Sequence, residues 1–309
     1  MSPLWLNENG NLIVNKNGNP ILCDVCPCAP KPLGIYFINA TSGVSAMSMN
    51  GQSLTAVGIG GSASALEMDQ NAVYVSVGSG PTIIRKVDLS SGTLTNLINL
   101  GGTRGNVWEL AIDSDYDNRI IWGTERLSSG GTAELAHASS LDGSDVVIIE
   151  QTTARVKYIP IFHSTQWKLY FLKAFVNAFG LTSKWELWRC NMDGSGMTML
   201  NGNVPNLGTG APSINGHFTI DHLTNRLWGP FRTPAVVIGH CSLTGDDLQT
   251  VLTTAGTAGD IDPYRRWLYY ENAADSNAIY KIKFDGTRNT KLRDSTGFAK
   301  LQLRWPYLD

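Results

Sequence analysis

Residues 260–292 read DIDPYRRWLYYENAADSNAIYKIKFDGTRNTKL and hold the pattern of one complete four-stranded unit. Ile261 and Asp262 end a first strand, and after a turn the aromatic run 267–270 is typical of a second strand. Residues 278–284 alternate as a third strand, and residues 288–292 return as a fourth. The stretch therefore predicts one antiparallel sheet of four short strands.

The turn between the third and fourth strands marks a repeat along the chain. Asp285-Gly286 is a dipeptide typical of a tight type I′ hairpin. Similar dipeptides recur at spacings of 41, 51, 51, 51 and 41 residues, at Asn50-Gly51, Ser91-Gly92, Asp142-Gly143, Asp193-Gly194, Thr244-Gly245 and Asp285-Gly286. A period of about 40 to 50 residues with four strands in each repeat is typical of a β-propeller. Six copies predict six blades.

The first strands of the repeats predict how the ring closes. Five of them end at Met68-Asp69, Ile112-Asp113, Phe162-His163, Ile220-Asp221 and Ile261-Asp262. Nothing before Gly34 is strand-like in this way, whereas FAKLQLRW at residues 298–305 alternates correctly. We therefore predict an all-β, six-bladed propeller of four-stranded antiparallel blades over residues 34–309, closed by its C-terminal strand. Closure removes the free sheet edges.

The repeat resembles the YWTD propellers of the low-density lipoprotein receptor type. The segments IDPYRRWLYYEN, FDGTRNTKL and WELWRCNMDGSGMTML carry the resemblance, which covers residues 34–305. Two stretches approximate the Tyr-Trp-Thr-Asp tetrad without matching it, Tyr269-Tyr270-Glu271-Asn272 and Tyr36-Phe37-Ile38-Asn39. The resemblance implies a six-bladed propeller that serves as a binding module and not as an enzyme.

Composition narrows the classes of partner. The chain has 309 residues, 42% of them hydrophobic, with a net charge of −2 and a pI near 6.2. Nucleic acid and anionic membranes are not attracted to such a chain over long range. No apolar run approaches the roughly 18 residues of a membrane span, so we expect no membrane insertion. The start, MSPLWLNENGNL, lacks the features of a secretory signal, and the location is otherwise open.

Residues 1–33 form a separate N-terminal arm in the sequence pattern. Short apolar runs separated by NENG and NKNG predict a small three-stranded meander, which is too small to fold alone. The cluster Cys23, Cys26 and Cys28 follows it. These thiols have half of the spacing of a zinc site, and a disulfide or plain reduced thiols are the alternatives. Zinc is the one cofactor that the sequence suggests.

Several eye-catching residues recur at fixed blade positions, which favours structural roles. We expect the strand-end acids to bind backbone amides of the following turn: Asp69, Asp113, Asp221 and Asp262. Two cysteines at a shared blade position are expected in the core, Cys190 and Cys241. Four aromatic residues of the second strands are expected to pack between blades: Trp122, Tyr170, Trp228 and Tyr269.

Two functions from different classes fit these patterns. The first is a noncatalytic propeller, a structural or adhesive component of a larger assembly such as a virion or a surface appendage. Its partners would be other proteins or copies of itself, bound through the arm and one face of the ring. The second is a metal-dependent hydrolase or lyase with its site at the channel mouth. No catalytic motif supports the second, and His163, the one strand-end residue that is not Asp, is its first candidate.

Loop lengths suggest which face binds. The turns on one face are tight, whereas the other carries long segments at residues 126–132, 175–183, 201–216 and 230–234. Recognition tends to lie in long loops on a rigid scaffold. We therefore predict binding residues at Phe175, Phe179, Phe231 and Arg232, because aromatic and Arg side chains are enriched at contact centres. Each of them could instead fold back on its own loop.

Overall fold

A computed structural model describes residues 31–39, 41, 43–78, 82–101, 106–113, 117–126, 131–177, 182–204, 207, 217–233, 235–253, 256–294 and 298–305. Of residues 232, 233, 235, 256–258, 298 and 299 it describes the backbone only. The helical structure in this part of the chain is a single 3₁₀ turn at Ala273–Asp275. None of its helices therefore has the length and hydropathy needed to cross a bilayer.

The described residues form 24 strands, whose short alternating patterns suit half-buried sheet. In chain order they are β1 (Gly34–Asn39), β2 (Val44–Met47), β3 (Thr55–Val57), β4 (Ala63–Met68), β5 (Ala72–Val77), β6 (Ile83–Asp88), β7 (Leu94–Asn99), β8 (Val107–Asp113), β9 (Arg119–Thr124), β10 (Ala133–Ser139), β11 (Val147–Thr152), β12 (Val156–His163), β13 (Lys168–Val176), β14 (Thr182–Cys190), β15 (Thr198–Asn201), β16 (Thr219–Asp221), β17 (Arg226–Thr233), β18 (Ala235–Ser242), β19 (Gln249–Leu252), β20 (Gly256–Asp262), β21 (Trp267–Asn272), β22 (Ala278–Lys283), β23 (Thr290–Arg293) and β24 (Phe298–Arg304).

These strands make six antiparallel sheets of four, which are the blades of a propeller. Blade 1 has the order β24-β1-β2-β3, and blades 2 to 6 take the remaining strands four at a time in chain order. The inner strands β24, β4, β8, β12, β16 and β20 each contact the next around the ring, and β20 contacts β24 again. The predicted fold class is therefore confirmed.

Closure takes place as the sequence predicts. Strand β24 pairs antiparallel with β1, with Gly34 opposite Arg304, Ile35 opposite Leu303 and Phe37 opposite Leu301. The backbone N–H of Leu33 also donates to the carbonyl oxygen of Arg304. The last described strand of the chain thus supplies the innermost strand of the first blade, and the two ends of the ring are joined inside one sheet.

The core of the ring lies between neighbouring blades. Six clusters of buried apolar side chains are described, and each joins residues of two adjacent blades. The second-strand aromatics lie in these clusters and are at most 3% exposed: Trp122, Tyr170, Trp228 and Tyr269. Cys190 and Cys241 are buried free thiols in the same clusters. Both expectations from the repeat are confirmed.

The Asp285-Gly286 hairpin differs from the predicted turn type. Type I′ requires positive φ at both central residues, but here Gly286 has φ 80° and Asp285 is not among the residues with positive φ. Gly286 N–H bonds to Lys283 O at 2.8 Å, and Lys283 N–H bonds to Thr287 O at 2.9 Å. This is a three-residue loop, a type I turn followed by a left-handed glycine.

Two of the hairpin glycines also pack closely against the preceding blade. A Cβ at Gly143 of blade 3 would overlap the carbonyl oxygen of Leu97 in β7 of blade 2. A Cβ at Gly51 of blade 1 would overlap that of Leu292 in β23 of blade 6. Both glycines have positive φ, so these two positions need glycine for the turn and for the close approach.

Candidate functional site

The predicted metal ligands Cys23, Cys26 and Cys28 lie outside the described residues. Zinc, a disulfide and reduced thiols therefore remain alternatives for this cluster. Residues 1–30 also lie outside the described residues, so the division of the chain into an arm at residues 1–33 and a ring at 34–309 stays a prediction. Within the described part, no three His, Cys, Asp or Glu side chains are grouped to hold a metal ion.

Of the predicted binding residues, Phe231 is a core residue and not a surface anchor. It lies in β17, is 1% exposed, and meets Phe218 edge to face with 6.1 Å between ring centroids. The prediction of a loop at residues 230–234 is wrong for residues 230–233, because these residues belong to strand β17. The cause is Pro230, which suggested a chain break. On the side of β16 the described ladder ends at Trp228, so the missing N–H of Pro230 interrupts no bond there.

The other three predicted binding residues differ in how far they can be placed. Phe175 is half-buried near the end of β13, with the ammonium groups of Lys173 and Lys184 at 5.5 and 5.6 Å from its ring centroid. Phe179 is outside the described residues. For Arg232 only the backbone in β17 is described. Their role in binding stays a prediction.

The strand-end acids hold the turns that follow them. Asp69 accepts the N–H groups of Asn71 and Ala72 at 2.6 and 2.7 Å. Asp221 accepts from Leu223 at 2.9 Å. Asp113 and Asp262 accept the backbone N–H groups of Asp117 and Arg265 in the same way. These carboxylates are confirmed as structural acceptors.

The residue His163 likewise serves the fold. It is fully buried at the end of β12, and its Nε2 lies 2.8 Å from Asn225 Oδ1. Burial lowers its pKa, which favours the neutral imidazole. The contact with Asn225 joins the turns of blades 4 and 5. His163 therefore links two turns. In the part of the chain that the structure describes, it does not belong to a group of side chains that could hold a metal ion.

The sequence analysis missed a layer of polar side chains across the central channel. Each inner strand, or the segment just before it, contributes to this channel layer, whose members are Glu67, Glu109, Lys157, His217, Asp260, Lys300 and Gln302. Glu67 is half-buried, and the other six are at most 8% exposed. Buried charges must be paired or neutralised. The partners within the layer therefore decide its chemistry.

A chain of polar contacts runs across the ring through this layer. Lys300 Nζ lies 2.6 Å from Glu109 Oε2 and also donates to the carbonyl oxygen of Trp108. Glu109 Oε1 lies 3.5 Å from His217 Nδ1. The side-chain amide of Gln302 lies 2.9 Å from His217 Nε2 and 3.3 Å from Glu67 Oε2. The contacts join blades 1, 2, 3 and 5.

Two further members of the layer have their own partners. Asp260 Oδ2 accepts the backbone N–H of Leu303 in β24 at 3.0 Å, and Oδ1 accepts that of Ile261 at 2.8 Å. Lys157 Nζ lies 3.5 Å from Glu125 Oε2 and 3.2 Å from the ring centroid of Trp108. Asp260 thus binds blade 6 to the closing strand, and Lys157 stacks on an aromatic face.

The carboxyl groups of the channel layer differ in the direction of their pKa shifts. Burial raises the pKa of Glu67 from 4.5 to about 8 and also raises that of Asp260. Burial acts on Glu109 in the same sense, but Lys300 and His217 together hold its pKa below the ordinary value. Burial opposes the charge on His217, yet Glu109, Glu67 and Asp260 raise its pKa. At neutral pH, Glu67 therefore retains its proton, while Glu109 is charged.

A cavity of about 100 Å³ adjoins the layer. Glu67, His217 and Thr219 supply its polar lining, and apolar side chains such as Ile112 and Phe162 supply the rest. Small-molecule sites usually measure about 300 to 1,000 Å³, whereas a water needs roughly 10 to 15 Å³. The cavity therefore suits a few water molecules or a very small solute.

The missed layer had one signal in the sequence. Its members precede the strand-end residue of their blade by an even number of positions, as in Glu67 before Asp69, Glu109 before Asp113 and His217 before Asp221. In a strand, even offsets share a face. A charged residue at such an offset inside an apolar inner strand marks the channel side.

Comparison with known proteins agrees with the fold. No family model and no curated protein sequence matches the chain. Among solved structures, it resembles one from a nidogen/laminin complex, with a TM-score of 0.63, 14% identity, and coverage of 87% of this chain and 97% of the other.

Two further structures show the same likeness at low identity. TolB from Acinetobacter baumannii gives a TM-score of 0.62 and 10% identity, with coverage of 88% of this chain and 65% of TolB. A putative 6-phosphogluconolactonase from Bacteroides uniformis gives 0.52 and 10%, with coverage of 88% and 99%. Likenesses at 10 to 14% identity show a shared propeller fold and assign no activity.

Proposed function

We propose that the chain is a noncatalytic β-propeller that serves as a protein-interaction module in a larger assembly. The observation that carries this proposal is a strip of exposed apolar side chains on the outer edge of blades 3 and 4. This outer strip consists of residues between 36% and 64% exposed, namely Leu141, Val146, Val147, Ile148, Met197 and Met199.

The outer strip departs from the pattern of the other blades. Val147 and Ile148 begin the outer strand β11, opposite His137 and Ala136 of β10. The first two residues of the outer strands in blades 5 and 6 are polar, at Gln249-Thr250 and Thr290-Lys291, and blade 2 has one apolar residue there, in Leu94-Thr95. Edge strands expose backbone groups that invite pairing with other chains, and polar or charged residues normally counter this. An apolar edge in one blade therefore favours a contact there.

The two halves of the outer strip lie on one stretch of the rim. A Cβ at Gly194, in the blade 4 hairpin, would lie 3.2 Å from Ile149 Cγ2 in β11. Met197 and Met199 follow that hairpin directly. Methionine side chains adapt readily to a partner surface. The blade 3 and blade 4 parts of the strip therefore lie near each other on the rim.

A second copy of the chain suits this surface. Among the described strands, β11 pairs only with β10, so its other edge offers backbone groups for pairing. Its acid, Glu150, already forms an ion pair with Lys173 of the neighbouring blade. Antiparallel pairing of residues 147–149 with the same residues of a second copy would therefore bring together apolar side chains and no unpaired like charges.

The channel supports a noncatalytic role. Its charged groups are engaged with one another, and the adjoining cavity is small for a substrate. We do not propose the metal-dependent hydrolase or lyase as a second function, because no observation in the described residues favours it. The proposal also includes binding through the arm and the long-loop face. It further includes a place in a virion or surface appendage and membership of the YWTD type.

Sedimentation equilibrium of the full chain tests the proposal. We expect wild-type protein to self-associate. We expect the double change Val147→Thr and Ile148→Asn to weaken association at least about tenfold, or about 1.4 kcal/mol. The matched control is Thr290→Ala with Lys291→Ala, at the equivalent positions of blade 6, which should leave association unchanged. Equal association of both variants and wild type would count against the outer strip.

A further inference from the structure

The closing strand is the one described inner strand that is distant in sequence from the rest of its own blade. Strand β24 reaches β1 across nearly the whole chain, and its pairing keeps the ring shut. Its inward side chains Lys300 and Gln302 are 5% and 3% exposed. They bind groups of blades 2, 3 and 5, so the strand is held from inside the channel as well as by β1.

The charges around this strand cannot all be satisfied at once. Glu109 contacts Lys300 and His217, and the carboxyl groups of Glu67 and Asp260 interact electrostatically with His217. Full ionisation with a neutral imidazole leaves three anions against one cation. The remaining pair, Lys157 with Glu125, has no net charge when both groups are ionised, and burial lowers the pKa of Lys157 to about 8, which acts in the opposite direction above that pH. The network therefore balances only when it holds protons on some of these groups.

We propose that the channel layer is a proton-operated latch on β24, which holds the ring closed from mildly acidic to neutral pH and loosens it as the pH rises further. At neutral pH a protonated Glu67 leaves two further carboxyl groups, those of Glu109 and Asp260, in the network with Lys300 and His217. Loss of the protons on Glu67 and His217 then leaves three carboxylates with Lys300 as the one cation among these five groups. The cavity beside Glu67 and His217 gives the protons a route to solvent.

The pKa shifts of the individual groups give the direction in which stability changes with pH. The pKa of Glu67 is about 8 in the folded state against an ordinary 4.5, so the stability of the native state falls as pH rises between these values. The pKa of His217 is raised above 6.5, so its contribution is complete below 6.5 and is lost as pH rises through the folded value. The pKa of Glu109 is lowered, so its contribution is lost only in acid, below 4.5.

Hydrogen exchange of the full chain tests the latch. The readout is exchange of Phe298–Arg304 relative to Thr182–Cys190, after correction for the intrinsic pH dependence. Between about pH 6 and about pH 8.5, we expect this ratio to rise at least about tenfold. In Glu67→Gln, a neutral side chain of the same size, we expect most of the rise to disappear. The control Asp247→Asn removes an exposed partner of Arg226 and should keep the wild-type rise.

Two results would overturn the latch. One is a ratio for β24 that stays constant over this pH range in wild type. The other is an equal rise in Glu67→Gln and wild type. If that variant does not fold, infrared spectroscopy of the wild-type protein decides the question. A protonated buried carboxyl should be present at neutral pH and vanish above about pH 9, and its absence at neutral pH would contradict the proposal.

Discussion

The ammonium group of Lys300 in the last inner strand lies 2.6 Å from the carboxylate of Glu109, two blades away across the channel. The two residues are 191 positions apart in the chain. Both side chains are at most 5% exposed, so water gives little help to either charge. Ring closure therefore rests on strand pairing outside the channel and on an ion pair inside it.

Removing one partner of this pair should destabilise the protein more than removing both. Lys300→Met leaves Glu109 buried beside His217 alone, and we expect a loss of about 3 to 5 kcal/mol in the free energy of unfolding. Adding Glu109→Leu to this variant should recover part of the loss. Urea unfolding at pH 7 measures both. As a control, Asp247→Asn breaks an exposed pair with Arg226 and should change stability by less than about 1 kcal/mol. A single variant as stable as wild type would show that the pair is not needed.

Deleting residues 298–309 should open the ring. The deletion removes β24, which exposes the inner edge of β1 and leaves Glu109 and Asp260 without their closing-strand partners. We expect aggregation, or a melting transition far below that of the full chain. Light scattering and thermal unfolding measure these effects. A truncated protein that stays soluble and melts like the full chain would contradict closure by β24.

Two hairpin glycines separate the effect of the turn from that of blade packing. Gly92 and Gly143 both have positive φ, at 71° and 76°. A Cβ at Gly92 meets nothing within 4 Å, whereas one at Gly143 would overlap the backbone of Leu97. We expect Gly92→Ala to cost about 1 kcal/mol and Gly143→Ala at least about 2 kcal/mol more, because the second must also move blade 2. Equal losses in chemical denaturation would mean that the hairpin does not brace the neighbouring blade.

The blade repeat was predictable from sequence because its signals are local. Turn dipeptides, aromatic second strands and strand-end acids each recur within one blade, and closure followed from the missing first strand before Gly34. The pairing of Lys300 with Glu109 was not predictable, because it depends on the diameter and phase of the closed ring. Phe231 was wrongly placed on a loop because Pro230 looks like a break, although β17 continues through Pro230 and pairs with β18 along its whole length.

The arm gives a prediction that separates folding from assembly. The apolar runs of residues 1–33 are too few for a core of their own, and β1 begins at Gly34. Purified residues 34–309 should therefore fold and melt as the full chain does, yet assemble less. Circular dichroism follows the fold, and sedimentation follows the assembly. Assembly equal to that of the full chain would show that residues 1–33 are not needed for assembly.

The long-loop face provides a competing contact surface. If Phe179 and Arg232 anchor a partner, changing both to Ala should weaken association by on the order of 2 kcal/mol or more, with little change in melting temperature. Under the outer-strip proposal, the change at Val147 and Ile148 should have the larger effect. Comparing the two double variants by sedimentation ranks the surfaces. A large drop in melting temperature for the first variant would show that its loops are structural.

Hydrogen exchange of the full chain over a range of protein concentrations tests the interaction role most directly. If copies of the chain meet through the outer strip, the amides of Val147–Thr152 should become protected as concentration rises. Those of the inner strand Val156–His163 should not change, because they are already in the channel wall. Exchange of β11 that is identical at all concentrations, in a chain that stays at its monomer mass of 33.5 kDa, would contradict the account.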